Sequence, residues 1–333
     1  MHINHLLFCN AALFAIAAVT PALAEEAPAA EDNAASGEII VTAERRATDL
    51  QKTAIAISAF TPDRLEERNI SNVRDLAGQV PNLFVSRASI SHTTQTFSLR
   101  GVGESDPIQE PVLAVYVDDV YVPRQIGSMS EFVDLERVEL LRGPQGTLYG
   151  RNSSAGALRI ITRDPDDTTH VTAELGYGSF NDVQARALVS GPIVSNALSG
   201  SISYIHRSRD GVTYDPTLGH DVNRIDLDGW RGKLRFTGIE GLDALLTVNV
   251  TRDRSDSRSY VPVNQPTPFS RRRSYSEVEP LQHLNAQSGS LRLVYTLSPA
   301  LSIKSITAVG GFNLNPVYYD NDGEAALIQK NMG

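Results

Sequence analysis

The 333-residue sequence has a single cysteine, Cys9, which lies inside the apolar run Leu6 to Val19. There it reads as a small apolar filler. A chain cleaved after that run has no thiol, which excludes a disulfide framework and cysteine chemistry. No other stretch approaches the roughly 18 consecutive apolar residues of a membrane-crossing helix, so entry into a bilayer would have to be as strands. Positive charge is scarce: 30 Lys and Arg stand against 39 Asp and Glu, a net charge of -9. Without a clustered basic surface to neutralise phosphates, nucleic acid is excluded as a partner. The one basic run, Arg271 to Arg273, sits in a polar, Pro-rich stretch and reads as a solvated loop. Catalytic signatures are missing as well. There is no Gly-x4-Gly-Lys, no His-Glu-x-x-His and no Gly-x-Ser-x-Gly, and His92 and His206 lack neighbours at ligand spacing. The sequence reads as a non-enzyme with no metal site and no cofactor.

What is present begins with a targeting segment, residues 1–24. The small residues Ala22 and Ala24 fit signal-peptide cleavage before Glu25. Its n-region has only the amino terminus, His2 and His5, so a membrane anchor is the alternative, but the run is short for a hydrocarbon core of about 30 Å. From Glu25 to Gly37 the chain is Ala, Glu, Pro and Asp with little bulk, a composition that cannot bury enough surface to fold and so forms a flexible tether. Glu38-Ile39-Ile40-Val41-Thr42-Ala43 then sets four β-prone residues between charges. Such a strand on a loose leader suits addition to the sheet edge of another protein, with main-chain hydrogen bonds carrying affinity.

Residues 48–167 read as mixed α+β. Thr53 to Ser58 alternates as a strand, and Thr61-Pro62 gives an N-cap followed by Pro at the first helical position, opening a helix through Glu67. A second short helix, Val73 to Val80, is stopped by Pro81. Val112 to Val117 and Val120 to Val122 flank Asp118-Asp119 as a hairpin, and Val138 to Leu141 and Ala157 to Thr162 are further strands.

From residue 168 onward the texture is long alternation. Val171, Ala173, Leu175 and Tyr177 alternate with Thr172, Glu174 and Gly176; Trp230, Leu234 and Phe236 oppose Arg231, Lys233 and Arg235; Leu246, Val248 and Val250 oppose Thr247, Asn249 and Thr251. About seven strands fit, each near the roughly 9–11 residues of a tilted membrane strand. A soluble β-sandwich alternates too. The connections favour a barrel: 191–197, 238–242 and 298–300 are short, whereas 208–228 and 253–287 are long and polar. Short turns on one side and long loops on the other mark an outer-membrane barrel.

Arg137 to Thr162, with Arg142-Gly143-Pro144-Gln145-Gly146 and Tyr149-Gly150-Arg151-Asn152 at its centre, resembles the plug motif of TonB-dependent outer-membrane receptors, in the branch that includes iron-siderophore receptors. Ser98-Leu99-Arg100-Gly101 and Val115 to Val120 occupy the family's places upstream, and Glu38, Ile39, Ile40, Val41, Thr42 and Ala43 resemble its TonB box. The resemblance implies a tether at 25–47 with the box at 38–43, a plug at 48–167, and the first strands of a transmembrane β-barrel at 168–333. Plug-motif residues are Gly101, Gly143, Pro144, Gly146, Tyr149, Gly150, Asn152 and Gly156, the glycines permitting tight turns and close backbone approach in a confined lumen.

By the same resemblance Arg100 and Arg142 pair with carboxylates on the barrel wall; the plain alternative is two surface arginines worth little. Arg87, His92, Arg124 and Gln125 sit on the loops implied to touch ligand, where cationic and amide groups would hold an anionic iron chelate; the alternative is ordinary solvated loops. Ligand would bind at the plug apex and release the box, and TonB with its inner-membrane energising proteins would pair with it and pull. The implied partners are TonB, a siderophore or other small molecule, and outer-membrane lipid; cobalamin, other metals, saccharides and aromatics stay open as ligands. A signalling subtype would carry a folded domain before the box, and an unenergised pore is the remaining rival. Plugged barrels use about 22 strands while eight enclose only side chains. The expectation is therefore a truncated amino-terminal part of a receptor, with gate and handle but no closed pore.

Overall fold

The computed structural model describes residues 40–42, 48–49, 53, 55–68, 70, 72–88, 93–104, 109–124, 126, 133–260, 273–320 and 330–332. The expected signal peptide, the expected tether apart from residues 40–42 and 48–49, and the site residues Glu38, Ile39, Ala43, His92 and Gln125 lie outside the described residues.

Two short antiparallel strands come first, β1 (Ile40–Val41) and β2 (Thr48–Asp49). After β3 (Ile57–Phe60), helix α1 (Pro62–Glu67) starts on a proline whose missing N–H would have no partner in a first turn. A 3-10 helix (Val73–Gly78) follows under a capping box: the Asn72 side chain accepts from the Arg74 and Asp75 amides, and the Asp75 carboxylate accepts the Asn72 amide at 3.2 Å. Next are β4 (Leu83–Arg87), β5 (Gln95–Leu99) and β6 (Val102–Gly103), a three-stranded antiparallel sheet. The remaining elements are β7 (Leu113–Val117), β8 (Val120–Val122), β9 (Leu135–Arg142), helix α2 (Gly146–Tyr149) and β10 (Gly156–Thr162).

The larger sheet runs β3-β9-β10-β7-β8, and in it β10 pairs parallel with β7. Side-chain alternation divides its two faces. Leu113, Val115, Leu140, Leu158 and Ile160 meet Leu65, Leu76 and Phe97 in the main core, while Ala114, Tyr116, Leu141, Tyr149 and Ala157 form a smaller cluster on the other side. Gly156 begins β10 with φ at +153°, where a Cβ would stand 2.2 Å from the Leu141 carbonyl oxygen. No side-chain rotation relieves a clash with backbone. Gly156→Ala is expected to destabilise the fold by about 2–3 kcal/mol, read as a lower midpoint in denaturant unfolding.

The rest of the chain is an antiparallel meander: β11 (His170–Gly178), β12 (Asp182–Val194), β13 (Leu198–Arg209), a separate small hairpin β14 (Thr213–Asp215) and β15 (His220–Val222), then β16 (Ile225–Phe236), β17 (Leu242–Asp253), β18 (Gln282–Ser298), β19 (Leu301–Asp320) and β20 (Lys330–Met332). Seven of these are the long strands that alternation predicts, and the short β20 extends the sheet. β18 and β19 reach 17 and 20 residues, longer than a bilayer requires.

Register shows which face is which. Arg231 pairs across to Ser203 and Asn249, and Lys233 to Ser201 and Thr247, whereas Trp230 pairs to Tyr204 and Val250. The polar set turns onto the α+β part, where Lys233 is buried. The apolar set turns away, leaving Leu175 88% and Val309 78% exposed. A sandwich would bury that face. A wall with apolar residues outside and polar residues inside is the arrangement of a membrane barrel, and the described arc is an open part of one.

Three elements depart from the sequence reading. The strand expected at Thr53 to Ser58 begins at Ile57, because pairing with β9 from Ile57 opposite Leu141 to Phe60 opposite Val138 fixes its register. The β4–β5 hairpin departs because its second arm has only Phe97 and Leu99 as buried apolar residues, following the buried polar Thr94, Gln95 and Thr96. The long loop 208–228 is partly folded: the Asp215 carboxylate accepts the Thr217 and Leu218 amides at 2.9 and 3.1 Å and the Ser276 amide at 2.8 Å.

Candidate functional site

The site grows from the turn between β7 and β8. Asp118 and Asp119 both have left-handed backbone, φ 50° and 66°, as a tight hairpin between right-twisted strands requires. Their side chains diverge. Asp118 accepts the Thr162 amide at 2.8 Å and the Thr162 hydroxyl at 2.7 Å. Asp119 takes Arg159 Nη2 at 2.6 Å on one oxygen and Lys304 on the other. Burial would raise the Asp119 carboxyl, but Lys304 and Arg159 outweigh it and hold it down to about 2, so it stays ionised well into the acid range.

Arg159 is the hinge of a buried chain. Its Nη1 reaches Glu139 Oε2 at 2.6 Å, and the same nitrogen donates to the Thr42 hydroxyl. Glu139 is fully buried. Its Oε1 accepts the Thr42 amide at 2.9 Å, the Thr42 hydroxyl at 3.2 Å and Arg137 Nε at 2.9 Å. Burial acts against the Arg159 charge, yet Glu139 and Asp119 raise its pKa above the usual guanidinium value. Charged groups this deep persist only when paired on every side. Thr42, in the segment resembling a TonB box, is thus bound to the floor of the α+β domain, and beside it Val41 is wholly buried.

The wall supplies cations to this domain's acids. Lys233 donates to the Thr162 hydroxyl at 2.5 Å and the Arg163 carbonyl at 3.0 Å, with Asp118 and Asp164 at 3.6 and 3.5 Å. Arg231 meets Asp134 at 3.1 Å, Arg292 pairs with Asp164, and Lys304 with Asp119. Contacts also run the other way, as where Thr93 donates to Asp253 on β17 at 3.0 Å.

Arg100 sits on a left-handed turn (φ 54°) and its guanidinium lies against Gly143, so the two motif segments come together. Among the described residues neither Arg100 nor Arg142 has a carboxylate partner, and Arg142 Nε is buried without an acceptor. Gly101, Gly143 and Gly150 have positive φ, as Gly156 does; Gly146 instead opens α2 with open space around it, and Pro144 precedes it on an exposed turn. Tyr149 accepts the Tyr116 hydroxyl on its carbonyl at 2.7 Å, and Asn152 donates to the Tyr121 hydroxyl at 2.8 Å. Of the ligand candidates, Arg87 donates to the Asp256 carbonyl at 3.3 Å, and burial pushes its guanidinium down to about 9 against the pull of Asp253. Arg124 is exposed and lines a cavity of about 440 Å³ between the β7–β8 hairpin and wall residues including Arg231, Asn249 and Ser288.

The sequence reading noticed Arg231, Lys233 and Arg235 only as the polar half of an alternation. Three cations on one inward face were the available signal. Glu139 and Arg159 carried none beyond lying inside a motif.

Residues 49–157 match the family model of the TonB-dependent Receptor Plug Domain. That segment is a TonB-dependent receptor plug domain, and the strands after it have the fold of part of such a receptor's barrel. Among curated proteins it is similar to the pesticin receptor of Yersinia pestis, 29% identical over 216 residues, covering 64% of this chain and 31% of that one. The pesticin receptor of Yersinia enterocolitica is 36% identical over 140 residues, covering 42% and 20%. In structure it resembles the ferric yersiniabactin uptake receptor FyuA of Yersinia pestis, with a TM-score of 0.73 at 24% identity, covering 80% of this chain and 42% of FyuA. The Pseudomonas aeruginosa pyoverdine receptor FpvA follows at 0.66 and 17%, covering 86% and 42%. The chain spans less than a third of the length of these curated relatives.

Proposed function

We propose that this chain contributes the gate and handle of an outer-membrane receptor that takes up a scarce nutrient, an iron-siderophore complex, using energy delivered through TonB. The observation that carries this reading is Thr42: a box-like segment lies bound on a plug that is itself tied to a lipid-facing wall. With no nucleotide in the periplasm, work must arrive mechanically, and a strand presented at the plug floor is what a partner sheet edge would grip. Residues 38–43 serve as that grip after export by the segment 1–24. Arg124 on the cavity, with Arg87, His92 and Gln125, would meet an anionic chelate. Arg100 and Arg142, without carboxylate partners among the described residues, stand ready for carboxylates of the barrel wall.

Iron-siderophore ligands are favoured because the relatives named above carry siderophore or pesticin names, and a ferrioxamine B receptor of Salmonella typhimurium is similar too, at 27% identity over 190 residues. Deleting residues 38–43 from the receptor is expected to abolish growth on the ferric ligand under iron limitation and leave ligand binding by whole cells unchanged. Uptake that survives the deletion would make this an unenergised pore.

A further inference from the structure

The buried chain does not stop at the plug. Lys304 lies on β19, three strands along the sheet from β16, which carries Arg231 and Lys233. It reaches Asp119; Asp119 reaches Arg159; Arg159 reaches Glu139 and Thr42. Arg159 is therefore one cation shared by two carboxylates, Asp119 at 2.6 Å and Glu139 at 2.6 Å. Shared charges of this kind compete: whatever satisfies one acid leaves more of the guanidinium to the other. Lys304 satisfies Asp119 from the wall side. The side chains differ in exposure in the sense this requires, with Arg159 5% and Glu139 0% exposed at the floor and Lys304 47% exposed at the wall end. The outer member is open to disturbance and the inner members are not.

The geometry points to Lys304 as a positioning residue for the handle: through Asp119 and Arg159 it sets how firmly Thr42 is held, so a movement of β19 against the plug loosens or tightens the segment 40–42. The inference rests on the uptake reading only for its purpose, because the linkage itself is a property of the unliganded protein. It has a distinctive sign. Removing the Lys304 charge makes Asp119 draw harder on Arg159, weakening the bonds to Glu139 and Thr42. Removing the Asp119 charge does the opposite and gives Arg159 wholly to Glu139.

The test uses the absence of any cysteine after Cys9. Val41→Cys places one thiol at a position that is 0% exposed, and its rate of reaction with a membrane-impermeant maleimide, in outer-membrane preparations of the receptor without ligand or TonB, reports release of the handle. Adding Lys304→Met is expected to speed labelling about tenfold, the worth of one charge-assisted bond. Lys304→Arg is expected to restore the parent rate, and Asp119→Asn to slow it several-fold. Unchanged labelling in Lys304→Met overturns the proposal. So does acceleration by both Lys304→Met and Asp119→Asn, which would indicate general loosening of the plug. Growth on a ferric ligand is scored separately, so a failed uptake reading and a failed linkage are distinguishable.

Discussion

Arg159→Met is expected to lower the unfolding free energy of the plug by about 3 kcal/mol, at the lower end of what breaking a buried ion pair costs. The reason is the group left behind. Glu139 is 0% exposed and faces Arg159 and Arg137, at 2.6 and 2.9 Å, and Asp119 would keep only Lys304. Arg137 keeps the cost from the top of the range. If the loss comes from an orphaned charge, Glu139→Gln in the same chain should return a large part of it, since a neutral amide needs no cation. Denaturant unfolding of the two variants and their double mutant measures the coupling directly. A single variant within about 0.5 kcal/mol of the parent, the scatter of an ordinary surface change, would mean that the chain from Thr42 to Lys304 is decoration.

Val248→Arg is expected to cost about 2–4 kcal/mol when the wall folds into a bilayer, as charges do on the lipid face near the midplane of an outer-membrane barrel. Val248 is 47% exposed on the outward face. Ser288 is exposed on the inward face and lines the cavity beneath the hairpin. Ser288→Arg should be tolerated to within about 1 kcal/mol, because its charge reaches the watered lumen side. Folding free energies into lipid vesicles separate the two. Near-equal small costs would place water on both faces and return the sheet to a soluble architecture.

Legibility in the sequence followed the length scale of the signal. The wall was readable because alternation repeats over many residues and names a face without needing a partner: Trp230, Leu234, Val248 and Val250 fall on the outward side together. The plug was readable through a long motif. What escaped was set by pairing between distant residues. The Gln95–Leu99 strand has only Phe97 and Leu99 as its apolar face and opens on buried Gln95 and Thr96, an alternation too short to stand out. The Glu139–Arg159 pair is 20 residues apart and meets only because β9 and β10 are antiparallel neighbours with Glu139 opposite Arg159. The wall cations Arg231, Lys233, Arg292 and Lys304 were hidden likewise, because their carboxylate partners Asp134, Asp118, Asp164 and Asp119 lie far off in sequence.

The β7–β8 turn narrows what substitution could accept there. Backbone demands alone would admit Asn-Gly, since both residues are left-handed. Charge demands alone would admit glutamate, whose longer side chain and reluctance to enter that conformation would move its carboxylate away from Thr162 or Arg159. Aspartate meets both at two adjacent positions, and each looks to a different neighbour: Asp118 toward β16, Asp119 toward β19 and the floor. A substitution at either position therefore loses backbone fit or charge, which makes this dipeptide a poor place for drift and a sensitive place to read whether a relative still operates the same connection.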